Sequence, residues 1–204
     1  MSCGEKPRRS IFNWPDSLAR LRAYNPHARL IVSLRHPVSR AYSHWRMETR
    51  RSHETLSFEE AVSAKGRRRV QDAPGGVHRI FSYIERGFYA AQIRVLLSMF
   101  PRNQILFLQV DDLWSEPAQT LARIERFLGV PEIVSRGPER DYIEAVPGAS
   151  GDGRILSAIM QNRLQKLFAP DICETARLTG LDLGNWLAED YEEDIRPSPA
   201  PGAD

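Results

Sequence analysis

The segment Arg29–Arg51, RLIVSLRHPVSRAYSHWRMETRR, decides how the rest of the chain is read. Leu30, Ile31, Val32 and Leu34 form a near-continuous apolar run, so a strand covered on both faces is expected over Ala28–Leu34. His36-Pro37 then supplies a cap and a first-turn proline, and a helix is expected from Pro37 to about Arg51. Val38, Ala41, Tyr42 and Trp45 make its apolar side, while Ser39, Ser43, Arg46 and Arg50 follow one polar stripe. A strand that ends in Arg35 and feeds the first turns of a helix forms an anion site. The guanidinium, the Ser43 hydroxyl and the helix N-terminus can all face one phosphate monoester. The competing reading of such an arginine is a pairing with a nearby carboxylate that ties the strand end to the helix.

Outward from this segment, Asp16–Tyr24 reads as a short helix, and Ser57-Phe58-Glu59-Glu60 as a capping box for a helix to about Ala64. Lys65–Gly76 reads as a loop with a basic run at Arg67-Arg68-Arg69. A helix ends at Pro101, a second strand runs from Gln104 to Val110, and Ser115 and Pro117 open a helix closed by Gly129. Val134–Gly153 reads as irregular. Ile155–Phe168 and Pro170–Leu178 read as two helices. Residues 1–195 then form one domain, followed by a disordered tail over 196–204. Strand–helix–strand–helix order argues for α/β with a parallel sheet, although only two strands are convincing.

The 204 residues suffice for one core, and no apolar run approaches the ~20 residues of a membrane helix. The polar, basic N-terminus has no signal-peptide h-region, and two cysteines without a metal-ligand pattern point to a reducing, cytoplasmic setting. The net charge of +2 hides a split. Residues 1–104 carry 19 Lys+Arg against 8 Asp+Glu, and residues 105–204 carry 9 against 18. The basic half suggests an anionic ligand or partner, or else two solvated faces of opposite sign. His36 and His44 lie near the proposed site, and one could act as a base at neutral pH, or else His36 is a helix cap and His44 a surface or packing residue. Asp111-Asp112 reads as a Mg²⁺-binding pair or as helix-capping carboxylates, and Tyr42 and Trp45 as an adenine stack or core.

RLIVSLRHPVSRAYSHW resembles the 3′-phosphate-binding motif of sulfotransferases that use 3′-phosphoadenosine 5′-phosphosulfate (PAPS). Arg35, Pro37, Arg40, Ala41 and Ser43 match that pattern, and His36 stands where Asp is common. Glu5-Lys6-Pro7 resembles a Glu-Lys-Ser/Thr-Pro segment of the heparan-sulfate-like and bacterial branch, without its Ser/Thr. Glu85-Arg86-Gly87-Phe88-Tyr89, Gln104-Ile105-Leu106, Asp112-Leu113, Phe127-Leu128-Gly129 and the stretch from Pro170 to Trp186 resemble later pieces of that branch, in family order. The likeness spans about residues 5–187.

The resemblance implies a P-loop-kinase-like three-layer fold, a parallel sheet flanked by helices. It implies transfer of a sulfuryl group from PAPS to a hydroxyl or amine acceptor, with a small molecule or carbohydrate as acceptor and no metal. Arg35 and Ser43 would bind the 3′-phosphate of PAPS or of its product PAP, and Arg154 would add a cofactor contact. Lys6 would sit at the transferred group as a catalytic residue, or else is a solvated lysine. The family's Lys-x-Gly-Thr loop for the 5′-phosphosulfate has no counterpart in this sequence. The expectation is therefore a sulfotransferase domain whose N-terminal strand–loop–helix is missing, with weak PAP affinity and impaired transfer. The alternative is a nucleic-acid or other polyanion binder using the basic half. The arginines fall into no helix-turn-helix, zinc-finger or RNP pattern, which argues against nucleic acid. Neither the acceptor nor the oligomeric state is legible.

Overall fold

The computed structural model describes residues 15–73, 76, 78–131, 157–188 and 191. Helix α1 (Pro15–Tyr24) precedes strand β1 (Leu30–Leu34). Helices α2 (Pro37–Arg50), α3 (Phe58–Val62), α4 (Ala64–Gln71) and α5 (Tyr89–Met99) lead to strand β2 (Ile105–Gln109). Then come α6 (Val110–Ser115), α7 (Pro117–Leu128) and α8 (Ala158–Thr179). Short 3₁₀ turns occupy Glu85–Gly87, Arg102–Gln104 and Gly184–Leu187.

β1 and β2 pair in parallel, from Leu30 opposite Ile105 to Leu34 opposite Gln109. Parallel neighbours need a long crossover, which α2 to α5 supply, so the α/β expectation holds. One sheet face carries Val32, Leu34, Ile105 and Phe107, all buried in the core with Ala41, Ile93, Leu96, Phe168 and Trp186. On the other face Leu108 is buried, but Ile31 is 42% exposed and Ser33 is also exposed. The apolar run of β1 is thus covered on one face only by the described residues.

Local chemistry sets most helix ends. Ser57 and Glu60 close a reciprocal capping box on α3, with Ser57 N–H donating to Glu60 Oε2 at 2.9 Å. α7 and α8 stop at Gly129 and Gly180, both left-handed at φ 72 and 74°. The helix α4 replaces the loop expected over Lys65–Gly76. A second cap, Ser63, accepts from Gly66 N–H at 3.1 Å. Arg67 and Arg69 are also drawn inward, to Glu85 and Glu54.

The two C-terminal helices expected are one, because Pro170 lies inside α8. An interior proline costs about 3 kcal/mol. Against that cost, Leu164, Phe168 and Ile172 bury on both sides of it. Among the described residues no helix is long and apolar enough to cross a membrane.

Candidate functional site

β1 delivers Arg35 at its C-terminal end, the end at which open α/β sheets bind ligands. His36 is the N-cap of α2, its side chain accepting from Ser39 N–H, and Pro37 begins the helix. Ser43 lies about two turns along, half-buried beside Ser39 on the polar stripe, while Val38, Ala41 and Trp45 are buried as expected. The first turn of α2 carries no acidic residue, so nothing there competes with an anion for the helix N-terminus. Lys6 and Arg154 lie outside the described residues.

His36 is held on three sides. Its Nδ1 serves the Ser39 amide, so the proton sits on Nε2, which donates to the Trp186 carbonyl at 3.3 Å. The ring stacks on Tyr191 at 4.1 Å and meets Trp186 edge-on at 5.8 Å. Burial, with the Arg35 charge as a further contribution, pushes its pKa down to about 4, against the raising effect of the Trp186 carbonyl. His44 is buried against the Tyr83 ring at 4.9 Å, and burial with Arg86, Arg40 and Arg51 lowers it to about 3. Both are neutral at pH 7 but too weakly basic for proton abstraction there. They are the cap and the packing residue of the two readings.

Beneath the arginine lies a polar scaffold that sequence reasoning missed. The Tyr89 hydroxyl donates to the Arg35 carbonyl at 2.8 Å. Arg40 donates to the Tyr83 carbonyl and is hydrogen-bonded to Tyr89, and burial lowers its pKa. Asp171 on α8 takes the Tyr89 and Ala90 amides at 2.7 and 3.2 Å, capping α5 from another helix. Gly87 packs so closely that an added Cβ would stand 2.8 Å from Phe168 Cε1 and 3.2 Å from Pro37 Cβ. The Glu85–Tyr89 fragment was the one signal in the sequence that could have found this scaffold.

Asp111 accepts from the Tyr191 hydroxyl at 2.6 Å, and Asp112 lies 3.5 Å from Arg123. Both stand in the first turn of α6, neither as its N-cap. No group of three metal-ligating side chains occurs among the described residues. Tyr42 and Trp45 stack on each other and meet Phe58 edge-on, in the core rather than around a base. Arg35 precedes α2 and Arg40 stands in its first turn, and the Arg40 charge lowers the pKa of Arg86, so the local positive charge suits an anion rather than a cation.

Residues 10–134 match the family model described as "Sulfotransferase family". The chain is 27% identical over 195 residues to heparan sulfate glucosamine 3-O-sulfotransferase 6 of Mus musculus, covering 86% of this chain and 54% of that protein. It is 33% identical over 126 residues to the 3-O-sulfotransferase 3B1 of the same species, covering 62% and 31%. A solved sulfotransferase from Alicyclobacillus acidocaldarius superposes with a TM-score of 0.69 at 28% identity, covering 87% of this chain and 64% of that one. The chain thus spans about half, or less, of the length of these curated relatives.

Proposed function

Since the chain belongs to the sulfotransferase family, we propose that it binds PAPS and takes part in sulfuryl transfer to a carbohydrate hydroxyl or amine. Arg35 and Ser43 hold the 3′-phosphate, and the N-terminus of α2 adds its dipole. The observation that carries this reading is the junction itself: an arginine leaving a parallel strand directly into a helix whose first turn is free of acid. The carbohydrate acceptor is supported by the names of the relatives, which act on heparan sulfate glucosamine.

In the reaction an acceptor oxygen or nitrogen attacks sulfur, the bond from sulfur to the 5′-phosphate oxygen breaks, and PAP leaves. The acceptor proton passes to a general base, a role for which the buried His36 and His44 are too weakly basic. What the described residues contribute is alignment: they fix one end of the nucleotide so that the other end is presented in line. Lys6 is proposed to meet charge building on the leaving group, and Arg154 to add a phosphate contact. The 204 residues on their own are proposed to bind PAP and to turn PAPS over poorly.

Calorimetric titration with PAP tests this. The wild-type chain is expected to bind and to gain thermal stability, with Arg35→Ala and Ser43→Ala each weakening binding. A folded wild-type chain that PAP neither binds nor stabilises overturns the assignment. Efficient turnover of PAPS by these residues overturns the impairment.

A further inference from the structure

We propose that Tyr89 is a positioning residue for the anion site, acting through the backbone of Arg35; the inference rests on the 3′-phosphate reading above. The carbonyl of Arg35 precedes the N-cap of α2, so no helical amide can reach it. Intrahelical bonding begins one residue later, with Arg40 N–H donating to the His36 carbonyl at 2.9 Å. The Arg35 carbonyl is instead taken by the buried Tyr89 hydroxyl at 2.8 Å. That hydrogen bond fixes the peptide plane between Arg35 and His36, and with it the direction in which the Arg35 side chain leaves the strand.

The hydroxyl is itself held. The Arg40 guanidinium donates to it, and a phenol that accepts from a cation is a stronger donor. The chain therefore runs from Arg40 through the Tyr89 hydroxyl to the Arg35 carbonyl. The Tyr89 backbone is anchored by the Asp171 carboxylate on α8. The Gly87 backbone, two residues earlier, lies against Pro37. Tyr89 touches no ligand in this arrangement; it limits where Arg35 can point, which lowers the ordering cost when a phosphate is gripped.

Tyr89→Phe removes the hydroxyl and keeps the ring. The test is a double-mutant cycle on PAP affinity, with Tyr89→Phe made in the wild type and in Arg35→Lys, which keeps a cation. In the wild type the expected loss is about fivefold, the scale of one neutral hydrogen bond. In Arg35→Lys a loss under about twofold is expected, because the fork that Tyr89 aims is gone. Equal losses in both backgrounds, or no loss in the wild type, overturn the inference, since a merely structural role moves both alike. Where Tyr89→Phe does not fold, Asp171→Asn takes its place in the cycle, with the same two outcomes. A wild-type chain that does not bind PAP, or an Arg35→Lys chain that binds as the wild type does, overturns the 3′-phosphate reading itself. That result is distinct from a cycle that closes additively around a working Arg35.

Discussion

Gly87→Ala adds one methyl group where the structure has no room for it. The new Cβ would lie 2.8 and 2.9 Å from Cε1 and Cζ of Phe168 and 3.2 Å from Cβ of Pro37. Ordinary carbon contacts begin near ~3.5 Å, so something must retreat by about half an ångström or more. Phe168 is fully buried against Phe88, with ring centroids 5.1 Å apart, and cannot swing into solvent. Pro37 is the first residue of α2 and moves only with the helix. Overpacking of this kind costs about 1–3 kcal/mol. In a chain of this size that lowers Tm by roughly 2–12 °C. Urea unfolding of Gly87→Ala, Phe168→Leu and the double variant measures the cost and locates it. Phe168→Leu alone is destabilising, but it opens space at the clash. The double variant is therefore expected to be more stable than the sum of the singles by about 1 kcal/mol. Strict additivity, or a Gly87→Ala chain within a few tenths of a kcal/mol of wild type, would refute the close approach.

Glu54 is buried and bound by Arg69, the Leu56 amide at 3.0 Å and the Tyr83 hydroxyl at 2.9 Å. Burial opposes its ionisation, yet these donors hold its pKa below the ordinary value. Its contribution is therefore complete above the unfolded carboxylate pKa and is lost as pH falls through the lower folded value. Glu54→Gln is expected to cost about 2 kcal/mol at pH 7 and to flatten the acid limb of stability, read by urea unfolding between pH 7 and 3. His36 and His44 act in the same direction. Their folded pKa values, about 4 and about 3, lie below the ordinary 6.5. The unfolded chain thus binds more protons, and stability falls as pH drops below 6.5. Between pH 7 and 5 the loss is about 2 kcal/mol per histidine, and an unchanged urea midpoint over that range would contradict their burial as neutral rings.

The strand and the helix of residues 29–51 were legible because both are decided within a few residues. An apolar run, a cap, a proline and a 3.6-residue period are local facts. What sequence did not reveal depends on partners far away in the chain. Arg67-Arg68-Arg69 reads as a solvated run until Glu54 and Glu85 are seen to draw Arg67 and Arg69 into a helix. Pro170 reads as the start of a second helix until Phe168 and Ile172 are seen buried on either side of it within one. His44 has a surface reading in the sequence, yet it and Glu48, four residues on, are both buried where α2 meets the segment around Tyr83. Periodicity assigned the apolar face of α2 correctly and still missed that its polar residues share the interior.

The fragments that carried little information singly converge on three residues. Gly87 abuts Pro37, the Tyr89 hydroxyl binds the Arg35 carbonyl, and Trp186 meets His36 through both its carbonyl and its ring. They come from two stretches of chain, around 50 and 150 residues beyond the strand end. Each touches Arg35-His36-Pro37 at a different atom. If their common role is to fix that joint, perturbations there must be coupled, while the Tyr42–Trp45–Phe58 aromatic cluster further along α2 stays independent. Tyr89→Phe combined with Trp186→Phe is therefore expected to depart from additivity in stability by more than about 0.5 kcal/mol, and Tyr89→Phe with Phe58→Leu to add. Urea unfolding of the two pairs decides it. Additive behaviour at the first pair would mean that the contacts around residues 35–37 are separate accidents of packing rather than one clamp on the arginine.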